Sequence, residues 1–366
     1  MARRQELTYE PDYAVPPGET LRETLDALGM TQSDLALRTG RPTKTINEIV
    51  NGKAAITPET ALQFERVLGV PASFWNNLQR NYEGDLARIA ERSSLEPYVE
   101  WLRAKTVKEV IRRGWVRACE DEVQQLREIS AFLRIASPRQ WHDCLATMAA
   151  SFRRSAAFES DPEALVFWLR KGEIDALGVE CAEFDARSFR GTLEETRSLT
   201  LLPLETGIAT LVEICAAAGV AVLFVPELPK TRVSGATRWL TPTKALIQLS
   251  FRHKTDDHLW FSFFHEAAHV LLHQKRPIYL DLLEGPREAV GPEEKEADAF
   301  ARDRLIPPDA FGRFISGRTL FSKTAVRRFA QANGIAPGIV VGRLQHDRLL
   351  PHSHCNDLKR KVDLAV

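Results

Sequence analysis

The sequence lacks a charge surplus: 49 Lys and Arg stand against 49 Asp and Glu in 366 residues. Bulk charge therefore names no partner, and any nucleic-acid binding must come from a local patch. Cysteine is scarce and unpaired in pattern. Cys119, Cys144, Cys181, Cys215 and Cys355 are odd in number, and no two stand at CxxC spacing. That argues against a disulfide framework and a thiolate zinc site, and leaves reduced, mostly buried thiols. Cys355 closes the run His352-Ser-His-Cys355, read as part of a mobile tail. Long hydrophobic runs are also missing. The longest, such as Gly219 to Pro226, are far too short to span a bilayer. The stretch MARRQELTYEPDY is charged where a secretory signal would be apolar. A cytoplasmic protein with no membrane partner is expected. There is no internal repeat and no low-complexity tract.

What is present is ordinary globular material, 44% hydrophobic and 27% charged, long enough for two or three domains. Residues 13–82 read as a string of short helices. Leu21, Leu25 and Leu28 recur at helical spacing and stop at Gly29. Thr31 offers an N-cap, with Leu35 and Ala36 facing inward and Gly40 closing the helix. A second helix runs from about Thr43 to Asn51 on Ile46, Ile49 and Val50, and Thr57-Pro58-Glu59 opens another. Residues 85–200 read as a helical linker or sensor region. Trp101, Trp115, Trp141 and Trp168 there are read as core. Residues 201–310 change character. A helix ends at Gly219, strands are expected at 220–225, 235–240 and 245–249, and helices at about 257–273 and 292–305. Residues 311–366 read as a helical extension. The fold expected is mainly α and multidomain, with a helical head, a helical middle and a C-terminal α+β domain holding a small sheet.

Chemistry concentrates in His265-Glu266-Ala-Ala-His269. On a helix, positions i and i+4 share a face, so the two imidazoles can point at one ion. Glu266 can then reach water on that ion without being a ligand. This HExxH arrangement suits zinc and a general base. A catalytic site needs a third protein ligand and one open position. Glu293, Glu294, Glu296 and Asp298 follow on the next helix. Glu294 is favoured, because Asp298 at i+4 can orient a ligand histidine from behind. Glu296 is the second choice, turned roughly 160–200 degrees away. His273, one turn past His269, is expected to be exposed. Arg238, His258 and Tyr279 are candidates for a donor to a developing oxyanion.

The run HEAAHVLLH, followed by Glu294-Lys-Glu-Ala297-Asp298-Ala-Phe300-Ala301 and Leu305-Ile306-Pro307, resembles the ImmA and IrrE family of metallo-endopeptidases. The likeness covers about 200–345 and implies a zincin-like domain that cleaves a DNA-binding repressor or antitoxin. Pro308 after Ile306-Pro307 departs from the commoner Met-Pro ending without touching the chemistry.

Residues 31–52 have the helix-turn-helix rhythm. Thr43, Lys44, Thr45 and Asn47 lie off the apolar side of the second helix, where they can reach base edges. Gln32 is placed for a phosphate contact, and Arg41 and Lys53 add charge. The stretch resembles the Xre/Cro-type repressors. Its extension through Thr57-Pro58-Glu59 to Phe74-Trp75-Asn76 resembles the HigA antitoxins. Charge tempers this: residues 1–84 hold nine Lys/Arg against eleven Asp/Glu, net −2, although 31–53 alone is net +2. Lys323 to Leu344 is a weaker echo, read as a structural helix pair.

The expected whole is a DNA-binding regulator fused to a zinc endopeptidase, acting as a homodimer. It would bind operator DNA and cleave a protein substrate (a cognate toxin or repressor, or itself) in a toxin–antitoxin or stress-response operon. The alternative is an antitoxin-like repressor whose metal site is structural or inactive.

Overall fold

The computed structural model describes residues 12–152, 161–252, 254–273, 278–282, 291–317 and 320–362. The chain forms two compact units, residues 1–100 and 101–366.

Among the described residues the first unit is all helical: α1 (Pro17–Ala27), α2 (Gln32–Thr39), α3 (Thr43–Val50), α4 (Pro58–Leu68) and α5 (Ala72–Leu95). Thr31 and Asp34 cap α2 reciprocally, each side chain bonding the other's backbone N–H. Gly40 ends it at φ 69°, a conformation that costs a residue with a Cβ. Leu21, Leu25, Leu35, Ile46, Ile49, Phe64 and Trp75 make the core. Leu28 does not join it; it caps α1 and is 51% exposed. Gly18 lets α1 press on the end of α3, since a Cβ there would lie 2.2 Å from the Ile49 carbonyl oxygen.

The second unit holds α6 (Lys105–Arg112), α7 (Glu122–Leu133), α8 (Trp141–Phe152), α9 (Pro162–Leu177), α10 (Ala186–Leu199) and α11 (Leu204–Ala217). There follow β1 (Val220–Phe224), β2 (Val233–Thr241), β3 (Lys244–Leu249), α12 (Asp256–Leu272), β4 (Tyr279–Leu282), α13 (Pro292–Leu305), α14 (Pro308–Ile315), α15 (Lys323–Asn333) and α16 (Pro337–His346). The sheet order is β1-β3-β2-β4, with β1 and β3 parallel and the other pairs antiparallel. β4 is a strand the apolar pattern does not announce, because it is four residues long and pairs at one edge.

Strand alternation separates two layers. Val222, Ile247, Thr237 and Tyr279 stand in register across the four strands. Val222 and Ile247 join the core that includes Phe263, Phe264 and Ala267 of α12. The neighbouring residues serve α9 on the opposite face. Gln248 donates to the Trp168 carbonyl at 2.8 Å, and Arg238 pairs with Glu173 at 2.6 Å. Gly172 makes that approach possible, since a Cβ there would lie 1.9 Å from the Gln248 amide oxygen. Thus α9, from the stretch read as linker or sensor, is a structural layer of the sheet. Trp168 and Trp141 are buried, as their apolar reading implies.

The tail is pinned, contrary to the mobile reading. Arg360 bonds the buried Asp256 at 2.7 Å, and Val362 donates to the Lys254 carbonyl at 2.9 Å. A buried carboxylate needs a partner, and the tail supplies it. The pair α15–α16 packs into the core with α12, burying Val340, Val341 and Leu344. Among the described residues no helix is long and apolar enough to cross a membrane. The five cysteines are free.

Candidate metal centre and nucleic-acid interface

Helix α12 is buried along most of its length, with Trp260, Phe263, Phe264, Ala267 and Ala268 fully buried. The polar residues of its middle, His265, Glu266 and His269, therefore lie in a desolvated place. His265 and His269 lie one turn apart on one face, 2% and 0% exposed. α13 crosses beside them and lays Glu294 against both. His265 Nε2 stands 3.1 Å from Glu294 Oε2 and 3.2 Å from His269 Nε2. His269 Nε2 stands 3.5 Å from the same carboxylate oxygen. Three donor atoms thus surround one point. Tetrahedral ligands at zinc's usual bond length of ~2.1 Å would be roughly 3.4 Å apart, so the spacing fits such an ion.

The outer nitrogens are held as well. His265 Nδ1 lies 3.0 Å from Asp298 Oδ1. With Nδ1–H donated there, Nε2 presents a lone pair to the other two acceptors. Such a cluster needs a cation or a proton at its centre. His269 Nδ1 lies 2.8 Å from His273 Nδ1. His273 is not exposed, as its position one turn on suggests; its side chain is 4% exposed and 3.5 Å from Glu296 Oε2. The reason is local: α12 ends at Leu272, and His273 turns extended (φ −105°, ψ 161°) instead of continuing the helix. Glu296 is accordingly on His273 and not in the three-atom cluster. Burial raises the Glu294 carboxyl, but the imidazoles of His265 and His269 against it outweigh that and bring it down to about 2. Burial lowers His269, which favours the neutral imidazole that a metal requires.

Glu266 is fully buried on the side toward β2. The Thr237 hydroxyl lies 2.6 Å from its Oε2 and 3.0 Å from its backbone carbonyl. Gly235 leaves the space, because a Cβ there would stand 2.5 Å from Glu266 Oε1. Tyr279 stacks on the His269 ring at 4.4 Å between centroids, so one oxyanion candidate does border the cluster. Arg238 does not. It is one residue past Thr237, hence on the opposite face of the sheet, and is paired with Glu173. Nor does His258, two helical turns before His265, which lies 4.0 Å from Asp257. Residue reasoning missed Thr237 and Gly235. The glycine inside a strand was the available signal, since it marks a close approach of another group.

In the first unit α3 presents Thr43, Lys44 and Asn47 to solvent, with Thr45 half-buried. Lys44 is 85% exposed, with Glu48 at 3.9 Å. Asn47 donates to Gln32 Oε1 at 3.3 Å, joining the two helices of the motif. Arg41 bonds Gln63 and pairs with Glu59 at 3.5 Å, both on α4.

Comparison with known families matches residues 21–75 to the helix-turn-helix model and residues 215–332 to the IrrE N-terminal-like domain of the M78 peptidases. The chain is 35% identical over 63 residues to an uncharacterised HTH-type transcriptional regulator, YddM, of Escherichia coli, covering 17% of this chain and 67% of that protein. It is 37% identical over 81 residues to virulence-associated protein I of Dichelobacter nodosus, covering 22% and 75%. The chain belongs to the helix-turn-helix regulators and carries an M78 peptidase-family domain. Solved structures with likeness to this regulator's head include an addiction module antidote protein of a HigA family from Coxiella burnetii, 34% identical, covering 23% of this chain and 92% of that one, TM-score 0.22. Another is Pseudomonas aeruginosa antitoxin HigA with the higBA promoter, 30% identical, covering 23% and 92%, TM-score 0.22. The regulator's matched segments contain Gln32, Arg41 and Thr43 to Asn47 in the head, and His265, Glu266, His269, Glu294 and Asp298 in the peptidase-family domain.

Proposed function

We propose that the peptidase-family domain is a zinc-dependent endopeptidase, governed by a head that binds operator DNA. The observation that carries it is the convergence of His265 Nε2, His269 Nε2 and Glu294 Oε2 within 4.8 Å of one another in a buried place. Two imidazoles and one carboxylate are a zinc donor set that leaves one position open. Bound there, zinc would supply Lewis-acid polarisation of a carbonyl and bring the pKa of water toward neutrality. The chain's own residues do the rest. Asp298 and His273 hold the outer nitrogens and so set which nitrogen of each ring faces inward. Glu266 accepts a proton and returns it to the leaving amine. Tyr279 stacks on His269 and helps to hold its ring in place.

The substrate is a regulatory protein, a cognate toxin or repressor, as the company of a helix-turn-helix head suggests. The head reads base edges through Thr43, Lys44, Thr45 and Asn47, with Gln32 on the phosphate backbone. A homodimer would set two such helices on two half-sites. The measurement for the enzyme is mapping of new protein termini after the zinc-loaded chain is incubated with extract of its host cell. Wild type yields discrete new termini, and Glu266→Gln loses them by a factor of about 10²–10⁴ while keeping its metal. Equal yields from both would refute it. For the head, Lys44→Ala with Asn47→Ala should weaken binding to the chain's own promoter, and undiminished binding would end the DNA assignment.

One observation favours the alternative, an antitoxin-like repressor with a metal site but no proteolysis. Glu266 is wholly buried and held by Thr237, so its base role needs water to reach it. In that case the metal is retained and no termini appear in either protein.

A further inference from the structure

The Glu266 carboxylate rests on two alternate residues of β2, Gly235 and Thr237, which share one face of the strand. Gly235 gives the room. A Cβ there would stand 2.5 Å from Glu266 Oε1 and 2.8 Å from its Cγ. Thr237 gives the bond. Its hydroxyl lies 2.6 Å from Glu266 Oε2 and 3.0 Å from the Glu266 backbone carbonyl oxygen. Both residues of the bond are fully buried.

One hydroxyl hydrogen thus faces two acceptors. The shorter contact is to the carboxylate, at the length of a charge-assisted O–H···O⁻ bond. The backbone carbonyl alone could satisfy a buried threonine, yet the hydroxyl sits closer to the side chain. Thr237 therefore donates to Oε2, and Oε1 is the oxygen left to take up a proton. With the proton on Oε1, Oε2 is still an acceptor. The bond from Thr237 then lasts while a proton arrives at Glu266 and leaves again. A hold on one oxygen of two fixes the place of the group and leaves its second oxygen for the exchange.

The adjacent strand supplies a companion. Tyr279 of β4 stands directly opposite Thr237 in the register, and its ring stacks on His269 at 4.4 Å. Glu266 and His269 are three residues apart, hence on one side of α12. One cross-strand pair therefore backs both of them, Tyr279 behind the imidazole and Thr237 behind the carboxylate.

We propose that Thr237 is the positioning residue of the general base: its hydroxyl holds Glu266 by Oε2 and so makes Oε1 the oxygen that exchanges the proton. The role rests on the peptidase reading; the hold on the carboxylate does not.

The test uses the full chain and three substitutions. Thr237→Val removes the hydroxyl and nearly keeps the shape, Thr237→Ala removes it without crowding should the valine protein not fold, and Thr237→Ser keeps it. The first readout is the yield of new termini from the zinc-loaded proteins. Thr237→Val should lose about tenfold, the loss of one charge-assisted hydrogen bond, with zinc content unchanged, and Thr237→Ser should restore it. The second readout needs neither metal nor cleavage. It is chemical unfolding, with EDTA present, of wild type, Thr237→Val, Glu266→Ala and the double variant. A hydroxyl that acts through the carboxylate shifts the unfolding constant about tenfold when Glu266 is there and hardly at all when it is alanine. A threonine that only packs gives the same shift in both backgrounds. Undiminished cleavage by Thr237→Val, an equal loss in Thr237→Ser, loss of zinc, or equal shifts in both backgrounds overturns the proposal. If wild type itself yields no termini, the peptidase reading fails and takes the positioning role with it, while the unfolding cycle still decides whether Thr237 holds Glu266.

Discussion

Asp298 illustrates how much a single residue outside the donor set can do. It touches His265 Nδ1 at 3.0 Å and no donor atom of the cluster centre. In the proposed metal centre its carboxylate would fix the tautomer, so that Nε2 faces inward as a lone pair. Asp298→Ala should therefore keep the fold and weaken zinc affinity by about 10–100-fold, read by competition with a chromogenic chelator. An affinity equal to wild type would show that His265 needs no such support. The convergence of these residues was legible in the sequence, because a helix converts spacing directly into direction. His265, Glu266 and His269 share a helix, and Glu294 and Asp298 share another. Thr237 and Gly235 were not legible. They reach Glu266 only because β2 lies against α12, and no local pattern states which helix a strand will face. His273 misled for a related reason. One more helical turn would expose it, but the helix ends first.

At the scale of elements, the periodic helices follow from apolar spacing and from capping chemistry. α2 ends where Gly40 can turn left-handed, and α4 starts where Thr57 and Pro58 permit. The exceptions are elements whose reason is tertiary. β4 exists because β2 offers an edge. α9 reads as linker material until Gly172 and Trp168 bring it onto the sheet. The tail is the sharpest case. Arg360 donates from its backbone N–H and its Nε to Asp256, whose side chain is 1% exposed, and its guanidinium also reaches the Leu202 carbonyl at 2.6 Å. Removing one partner of a buried pair leaves an uncompensated charge. Arg360→Ala should destabilise the second unit by about 3 kcal/mol, the low end of such losses because Asp256 keeps one backbone donor. In a unit of this size that is a fall of roughly 6–12 °C in melting temperature. A shift under 1 °C would mean that the tail is not held by this pair.

On the scale of the whole molecule, two kinds of candidate site occur in one chain whose formal charge is zero. Neither could be inferred from composition. Both emerge from short segments: a head in which Lys44 and Asn47 stand outward, and a buried helix that carries two histidines and a glutamate among phenylalanines and alanines. The fold class, mainly helical with one small sheet, follows from pattern. The partner does not, since nothing in a net-neutral surface names it. What unites the account is the claim that the buried cluster exists to hold an ion, and elemental analysis of the purified full chain tests this most directly. The account predicts about one zinc per chain in wild type and almost none in His269→Ala. Wild-type protein purified from zinc-replete medium without bound metal would contradict it.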